Sequence, residues 1–158
     1  MTLTHRKSRK FWPLVALFTT ASLLTFQNLE ATESTDGFRM KFAVEQAHGD
    51  LLQEGKYLRA IGLLDNSRNA DSFTVKTNLC VARAMSGQLR QAQYACRRSI
   101  ELAEEQVRSA PVDARSKAYA ALGDAYNNRG VLNVMLGNEE AALEDLTAAI
   151  SLPVMCNC

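Results

Sequence analysis

Four cysteines, a single histidine beyond the basic start of the chain and a run of carboxylates are the residues here with chemistry to offer. Cys156 and Cys158 form a Cys-x-Cys at the end of the sequence. Such a pair can close a local disulfide, hold a soft metal with ligands from elsewhere, bridge two chains or exchange with other disulfides. No histidine lies near it, and the tail offers no helix N-terminus to lower a thiol pKa, so a structural or intermolecular disulfide is the reading preferred over thiol chemistry. His48 has no partner set: there is no Gly-x-Ser-x-Gly, phosphate loop or His-containing metal spacing. It is expected to be a packing residue or a partly exposed hydrogen-bonding one. Glu139, Glu140, Glu144 and Asp145 fall near the start of a helix, where acids complement the dipole and face solvent. The sequence thus offers no catalytic residue, no metal site and no cofactor motif, and an enzyme is not expected.

Cys80 and Cys96 ask for a particular scaffold. Each lies eight residues from Gln88, so a helical hairpin turning at Gly87 and Gln88 sets them at equal height on facing helices. Ala92, Cys96 and Ser99 share one helix face at i, i+4 and i+7, and small residues there let two helices approach closely. A disulfide is then geometrically open, with two small buried thiols as the alternative.

The same hairpin pattern recurs. Gly55, Gly87 and Gly137 each follow an apolar stretch and precede an alanine by five residues, Ala60, Ala92 and Ala142. Seven residues before each glycine stand His48, Cys80 and Gly130. Glycine suits a turn where one helix ends and the next begins, because it adopts the left-handed backbone without steric cost. Stacked repeats of this kind bury their apolar faces on one another and present a surface to partners. These features resemble the tetratricopeptide repeat family. The third unit reads AYNNRGVLNVMLGNEEAALEDLTAAISLP, the second FTVKTNLCVARAMSGQLRQAQYACRRSIELA, and the first keeps the Gly-x-Tyr-x-x-Ala-Ile core in EGKYLRAIGLL. The resemblance implies an all-α fold, a right-handed stack of about three antiparallel helical hairpins forming an α-solenoid. Units are expected at about 41–72, 73–106 and 113–153 within a repeat domain spanning 38–153.

The glycines are 32 and then 50 residues apart, against a family period of about 34. The extra residues between the second and third units are helix formers broken once, at Pro111, and are expected to lengthen the flanking helices by about two turns each. Six helices are predicted, over 38–54, 57–66, 73–86, 89–108, 113–136 and 139–151. Asp71 or Ser72 is placed to cap the third and Asn138 the sixth, and Pro153 to end the last.

Residues 1–31 differ in kind. His5, Arg6, Lys7, Arg9 and Lys10 precede an uncharged, mainly apolar run from Phe11 to Phe26, the form of a secretory signal. Sixteen residues are short for a membrane span, so cleavage near Ala31 is favoured, while bulky Leu29 keeps an uncleaved anchor open. No cysteine precedes Cys80, which excludes a lipoprotein signal. Removing residues 1–31 leaves 14 basic and 16 acidic residues, net −2, so a nucleic-acid role loses its electrostatic support. A short lead, 32–37, and a Cys-containing tail, 154–158, flank the repeats. The expected location is periplasmic or secreted, with a membrane partner only if the anchor stays.

In the family this resembles, the first helix of each hairpin lines the concave face. That places Gln46, Asn78 and Asn128 at equivalent positions, nine residues before each glycine, with Asn127, Val81, Met85, Val131 and Met135 beside them. An amide donates and accepts at once, which matches the groups of an extended peptide backbone. The groove carries no Lys or Arg to meet a free carboxylate, so an extended or apolar protein segment is the expected partner. The chain's own tail or a second copy, giving a homodimer, are the other occupants considered. The function expected is that of an exported, non-catalytic binding or assembly scaffold. Thiol-disulfide or metal handling by Cys156 and Cys158 is the alternative.

Overall fold

The computed structural model describes residues 39–44 and 46–155, the last three by backbone alone. The expected signal or anchor, the lead 32–37, Cys156 and Cys158 lie outside the described residues. Among those described there is no strand, and the fold is all-α. The helices are α1 (Gly49–Gln53), α2 (Tyr57–Asp65), α3 (Phe73–Met85), α4 (Leu89–Ser109), α5 (Arg115–Met135) and α6 (Glu139–Met155), with a 3-10 turn at Val112–Ala114. Each packs on its neighbour in sequence, and α3 also touches α5.

Three turns of identical design make the hairpins. Gly55, Gly87 and Gly137 have φ of 72°, 79° and 74°. In each, the glycine N–H donates to the carbonyl three residues back, at 3.0 Å, as in Gly87 to Ala84. The next residue donates five back: Lys56 to Leu51 (2.8 Å), Gln88 to Arg83 (2.8 Å) and Asn138 to Asn133 (2.9 Å). This is the Schellman arrangement, which satisfies the last carbonyls of one helix while turning the chain into the next. A Cβ at any of the three would meet nothing within 4 Å, so the requirement is the left-handed backbone and not space.

Helix starts and lengths follow local chemistry. The Ser72 hydroxyl accepts from the Val75 N–H (3.4 Å) and caps α3. Pro111 separates α4 from the 3-10 turn, and the inserted residues extend α4 and α5 to 21 residues each, against 13 for α3. Their added turns carry a small core of their own, Ile100, Ala103, Leu122 and Ala125, beside the main core built from α1 to α4 and Leu132. At the other end α6 does not stop at Pro153 but continues to Met155. Proline removes one N–H from the ladder, the donor for the Ala149 carbonyl, and that oxygen lies against Gly123 of α5. A backbone closely packed on its neighbour carries the helix through the missing bond.

Cys80 of α3 and Cys96 of α4 are joined in a disulfide with a Cα separation of 4.8 Å, and both are fully buried. One turn away, Thr77 Oγ1 and Ser99 Oγ are 2.8 Å apart; Thr77 donates to the Phe73 carbonyl (2.9 Å), which leaves Ser99 to donate to Thr77. The α5–α6 hairpin closes differently. Gly130 lies under Leu146, where an added Cβ would come within 2.8 Å. Arg129 grips Asp145 through Nε and Nη2 at 2.8 and 2.6 Å, and Asn133 donates to the same carboxylate at 3.0 Å. Asp145, expected at the solvent face, is thus buried at 3% exposure, while Glu139, Glu140 and Glu144 stay exposed. A buried carboxylate requires such partners.

The largest departure from expectation is the first helix. Instead of 38–54 it covers only Gly49–Gln53. Residues 39–43 lie outside any helix, and Ala47 and His48 turn the chain with φ of 47° and 58°. His48, expected at a packed helical position, is an exposed residue of that turn.

Two outcomes follow. Replacing both cysteines by alanine opens a loop of sequence separation 16 and should lower unfolding stability by about 3 kcal/mol, read by urea denaturation. The Arg98 guanidinium, hydrogen-bonded to Asp71 at 3.0 and 2.6 Å, holds the Asp71 carboxyl below its ordinary 3.8. The link it makes between α4 and the loop before α3 is therefore intact at neutral pH and lost as pH falls through that lowered value. Carbon-detected NMR titration should place the Asp71 midpoint below 3.8 in the native chain and higher in Arg98→Gln, where Lys76 alone still favours the carboxylate.

Candidate functional site

A side-chain amide buried in a helix bundle must find partners for its N–H and C=O groups, since an unmade bond there costs about 1–3 kcal/mol. Asn78 on α3 is 0% exposed and Asn128 on α5 is 1% exposed. Their partners are not on the helices around them. Asn128 Oδ1 accepts from the Lys41 N–H (2.6 Å) and its Nδ2 donates to the Lys41 carbonyl (2.7 Å). Asn78 Oδ1 accepts from the Ala43 N–H (3.0 Å), and its Nδ2 lies within 3.0–3.2 Å of the carbonyls of Ala43, Gln46 and Ala47. Asn127, also buried, donates to the Arg39 carbonyl at 2.7 Å.

Arg39, Lys41 and Ala43 are alternate residues, so the amides read one edge of a chain with the two-residue repeat of an extended backbone. We call this segment, residues 39–44 with Gln46 and Ala47, the strap. It passes from α5 to α3 before turning into α1. Met40 and Phe42 pack against the main core. Lys41 Nζ reaches Asp124 Oδ1 of α5 at 3.2 Å, between two side chains about half exposed.

The strap fits because Gly49 has no side chain: a Cβ there would overlap the Ala43 carbonyl and stand 2.7 Å from Val44 Cα. Beside the strap a cleft of about 540 Å³ remains, lined by Ala43 and Gln46 of the strap, Phe73 of α3, Gln106 and Ser109 of α4, and Lys117 of α5.

The expected site residues divide accordingly. Asn78, Asn127 and Asn128 converge on one extended main chain. Gln46 does not join them: it sits in the strap, its side chain is exposed, and it contributes a carbonyl to Asn78. Its equivalence to Asn78 required a full first helix, which the strap replaces. Val81 is a core residue at 2% exposure, and Val131 is half-buried. Met85 and Met135, each two residues before a turn glycine, are exposed at 49% and 45%. Asp124 and Gly49 are site residues that spacing from the glycines did not single out. The clue available was the alternation of Met40 and Phe42 with Lys41 and Ala43, a two-residue period inside a segment read as helix.

Among the described residues, no group of His, Cys, Asp and Glu is placed to hold a metal ion, and no helix is long and apolar enough to cross a membrane. Known proteins supply no further identification: no protein-family model matches the sequence, and no curated protein or solved structure matches it either.

The clamp has a direct test. Asn78→Ala leaves the Ala43 N–H and three carbonyls without their partner, and Asn128→Ala does the same to Lys41. Each variant should speed hydrogen exchange at the Ala43 or Lys41 amide by at least about tenfold while the α5–α6 amides stay protected. Unchanged exchange would mean that the amides carry no energetic weight in holding the strap.

Proposed function

We propose that this chain is an exported, non-catalytic scaffold of tetratricopeptide-like hairpins that binds an extended protein segment in the groove between its first helices. The observation carrying this reading is that buried asparagines of α3 and α5 hydrogen-bond a main chain at alternate residues, with its N–H and C=O groups matched to the amides. Hydrogen bonds to the backbone give affinity for any extended segment, and the pockets between them give selectivity. The three Gly turns and the small residues between α3 and α4 support a rigid stack, which lowers the ordering cost of binding. Export rests on residues 1–31 and agrees with a buried disulfide, which persists in an oxidising compartment. The role this favours is assembly or adaptor binding, with rigid display as its mechanism.

Selection of random linear peptides on the Phe42→Asp chain, whose strap has lost its packing on the core and leaves the amides open, tests the reading. Enriched peptides should alternate apolar residues and bind about 10–100-fold more weakly when Asn128→Ala is added, the loss of two backbone hydrogen bonds. Enrichment that is the same when Asn78→Ala and Asn128→Ala are both added would place binding elsewhere and refute the groove. Export is read by intact mass after secretion from a bacterial host: the mature protein should lack about 31 residues.

A further inference from the structure

The groove is already filled by the chain itself, and the way it is filled specifies what else belongs there. We propose that the strap is a displaceable internal ligand, and that the partner of this protein is an extended segment carrying the strap's own order of side chains, apolar–basic–apolar, at the positions of Met40, Lys41 and Phe42. This rests on the groove reading above and names its ligand and its regulation.

Three observations carry it. The first is chemical. Asn127, Asn128 and Asn78 bind only backbone atoms of the strap, so they place no demand on its sequence. Selection comes from the side chains. Met40 and Phe42 lie against the core, and Lys41 meets Asp124; Gly49 touches only the main chain at Ala43 and Val44. A competing segment must offer two apolar residues flanking a cation.

The second observation is mechanical. The strap joins the body through Ala47 and His48, two consecutive non-glycine residues in the left-handed region, where L-residues rarely sit. Seating the strap holds that strain, and releasing it removes the strain. A separate segment carries no such hinge and binds without it.

The third is spatial. Ala43 and Gln46 form one wall of the 540 Å³ cleft that continues between α3, α4 and α5. An incoming segment therefore finds open space directly beside the strap and can exchange with it stepwise. Tethering favours the strap, because an attached ligand acts at an effective concentration in the millimolar range. Apparent affinity for a partner falls in proportion to the fraction of molecules with the groove open.

A single substitution opens the groove without touching any amide. Phe42→Asp removes the strap's packing on the core and leaves Asn78, Asn127, Asn128, Asp124 and Gly49 unchanged. The probe is a fluorescein-labelled peptide of residues 39–47 with its native phenylalanine, titrated with the full chain and followed by fluorescence anisotropy. The peptide should bind Phe42→Asp at least about tenfold more tightly than the native chain. In the Phe42→Asp background, Asn128→Ala in the protein should reverse the gain about tenfold, and changing lysine to glutamate in the peptide should weaken binding about threefold or more.

Lys41→Glu in the protein is the second variant. It sets a carboxylate against Asp124 and loosens the strap while leaving the packing of Phe42 untouched, so it serves if Phe42→Asp does not fold. The inference is overturned if the peptide fails to bind a variant whose α3–α6 amides are protected and whose Lys41 and Ala43 amides exchange freely. It is likewise overturned if the lysine-to-glutamate peptide binds equally well. Peptides from the random selection separate the two claims. If they bind the opened variant and the strap peptide does not, the groove stands and the internal-ligand claim falls. If neither binds, both fall.

Discussion

A buried amide that cannot reach water must be fully matched, and Asn78 and Asn128 are almost completely buried. Much of the N-terminal third of the described structure answers to that constraint. A first helix beginning at residue 38 would have kept the carbonyls of Ala43, Gln46 and Ala47 in its own ladder. It would also have left Asn78 without the acceptors it uses. Releasing that stretch from the helix supplies both amides with backbone partners, and local consequences follow from it. Helix α1 shrinks to five residues, Gly49 lies under the strap where no Cβ fits, and Ala47 and His48 take left-handed backbone angles to turn from one into the other. The strain at those two residues is tolerated because several buried hydrogen bonds hold the geometry that imposes it.

The hairpins show how one local turn supports different means of closure. All three use the same pair of backbone hydrogen bonds around a left-handed glycine. Seven residues before the glycine, α3 carries Cys80 and bonds covalently to α4. Helix α5 carries Gly130 there, admits Leu146, and adds the ion pair of Arg129 with buried Asp145 one residue away. The Asp145 carboxylate, hydrogen-bonded to the guanidinium, raises the Arg129 pKa above its ordinary value. In the first unit the position falls on His48, in the turn outside α1. The unit is held instead by α2 packing on α3, with Arg83 forked onto Asp65 at 2.7 and 2.9 Å. The turn has the same geometry in all three hairpins, and what crosses the gap differs.

The elements that were legible are those whose cause lies within a few residues. Helices α2 to α5 fall within about two residues of their predicted bounds, because periodic apolar positions, the Ser72 cap and the Pro111 break are local signals. The inserted stretch lengthens α4 and α5 for the same reason. The amides Asn78 and Asn128 stand out by register from the glycines, with Asn127 beside them, and an amide's suitability for an extended backbone follows from functional-group chemistry. Gln46, by the same register, was misplaced, because register carries meaning only where the helix exists. Asp145 and Pro153 were misread for a related reason: a carboxylate beside two others looks solvated, and a proline looks terminal, until a neighbouring helix comes close.

What the sequence determined by itself is therefore the set of turns, the helix periodicity, the pairing height of Cys80 and Cys96 and the presence of amides suited to a main chain, each fixed by steric or bonding rules over short spans. Tertiary structure alone decided which main chain those amides hold. Asn128 meets Lys41 across 87 residues and Asn78 meets Ala43 across 35, so no local rule relates them. Residues 39–48 have a sequence compatible with a helix. Burial of Met40 and Phe42 on the core, together with the need of two buried amides for partners, outweighs that local preference.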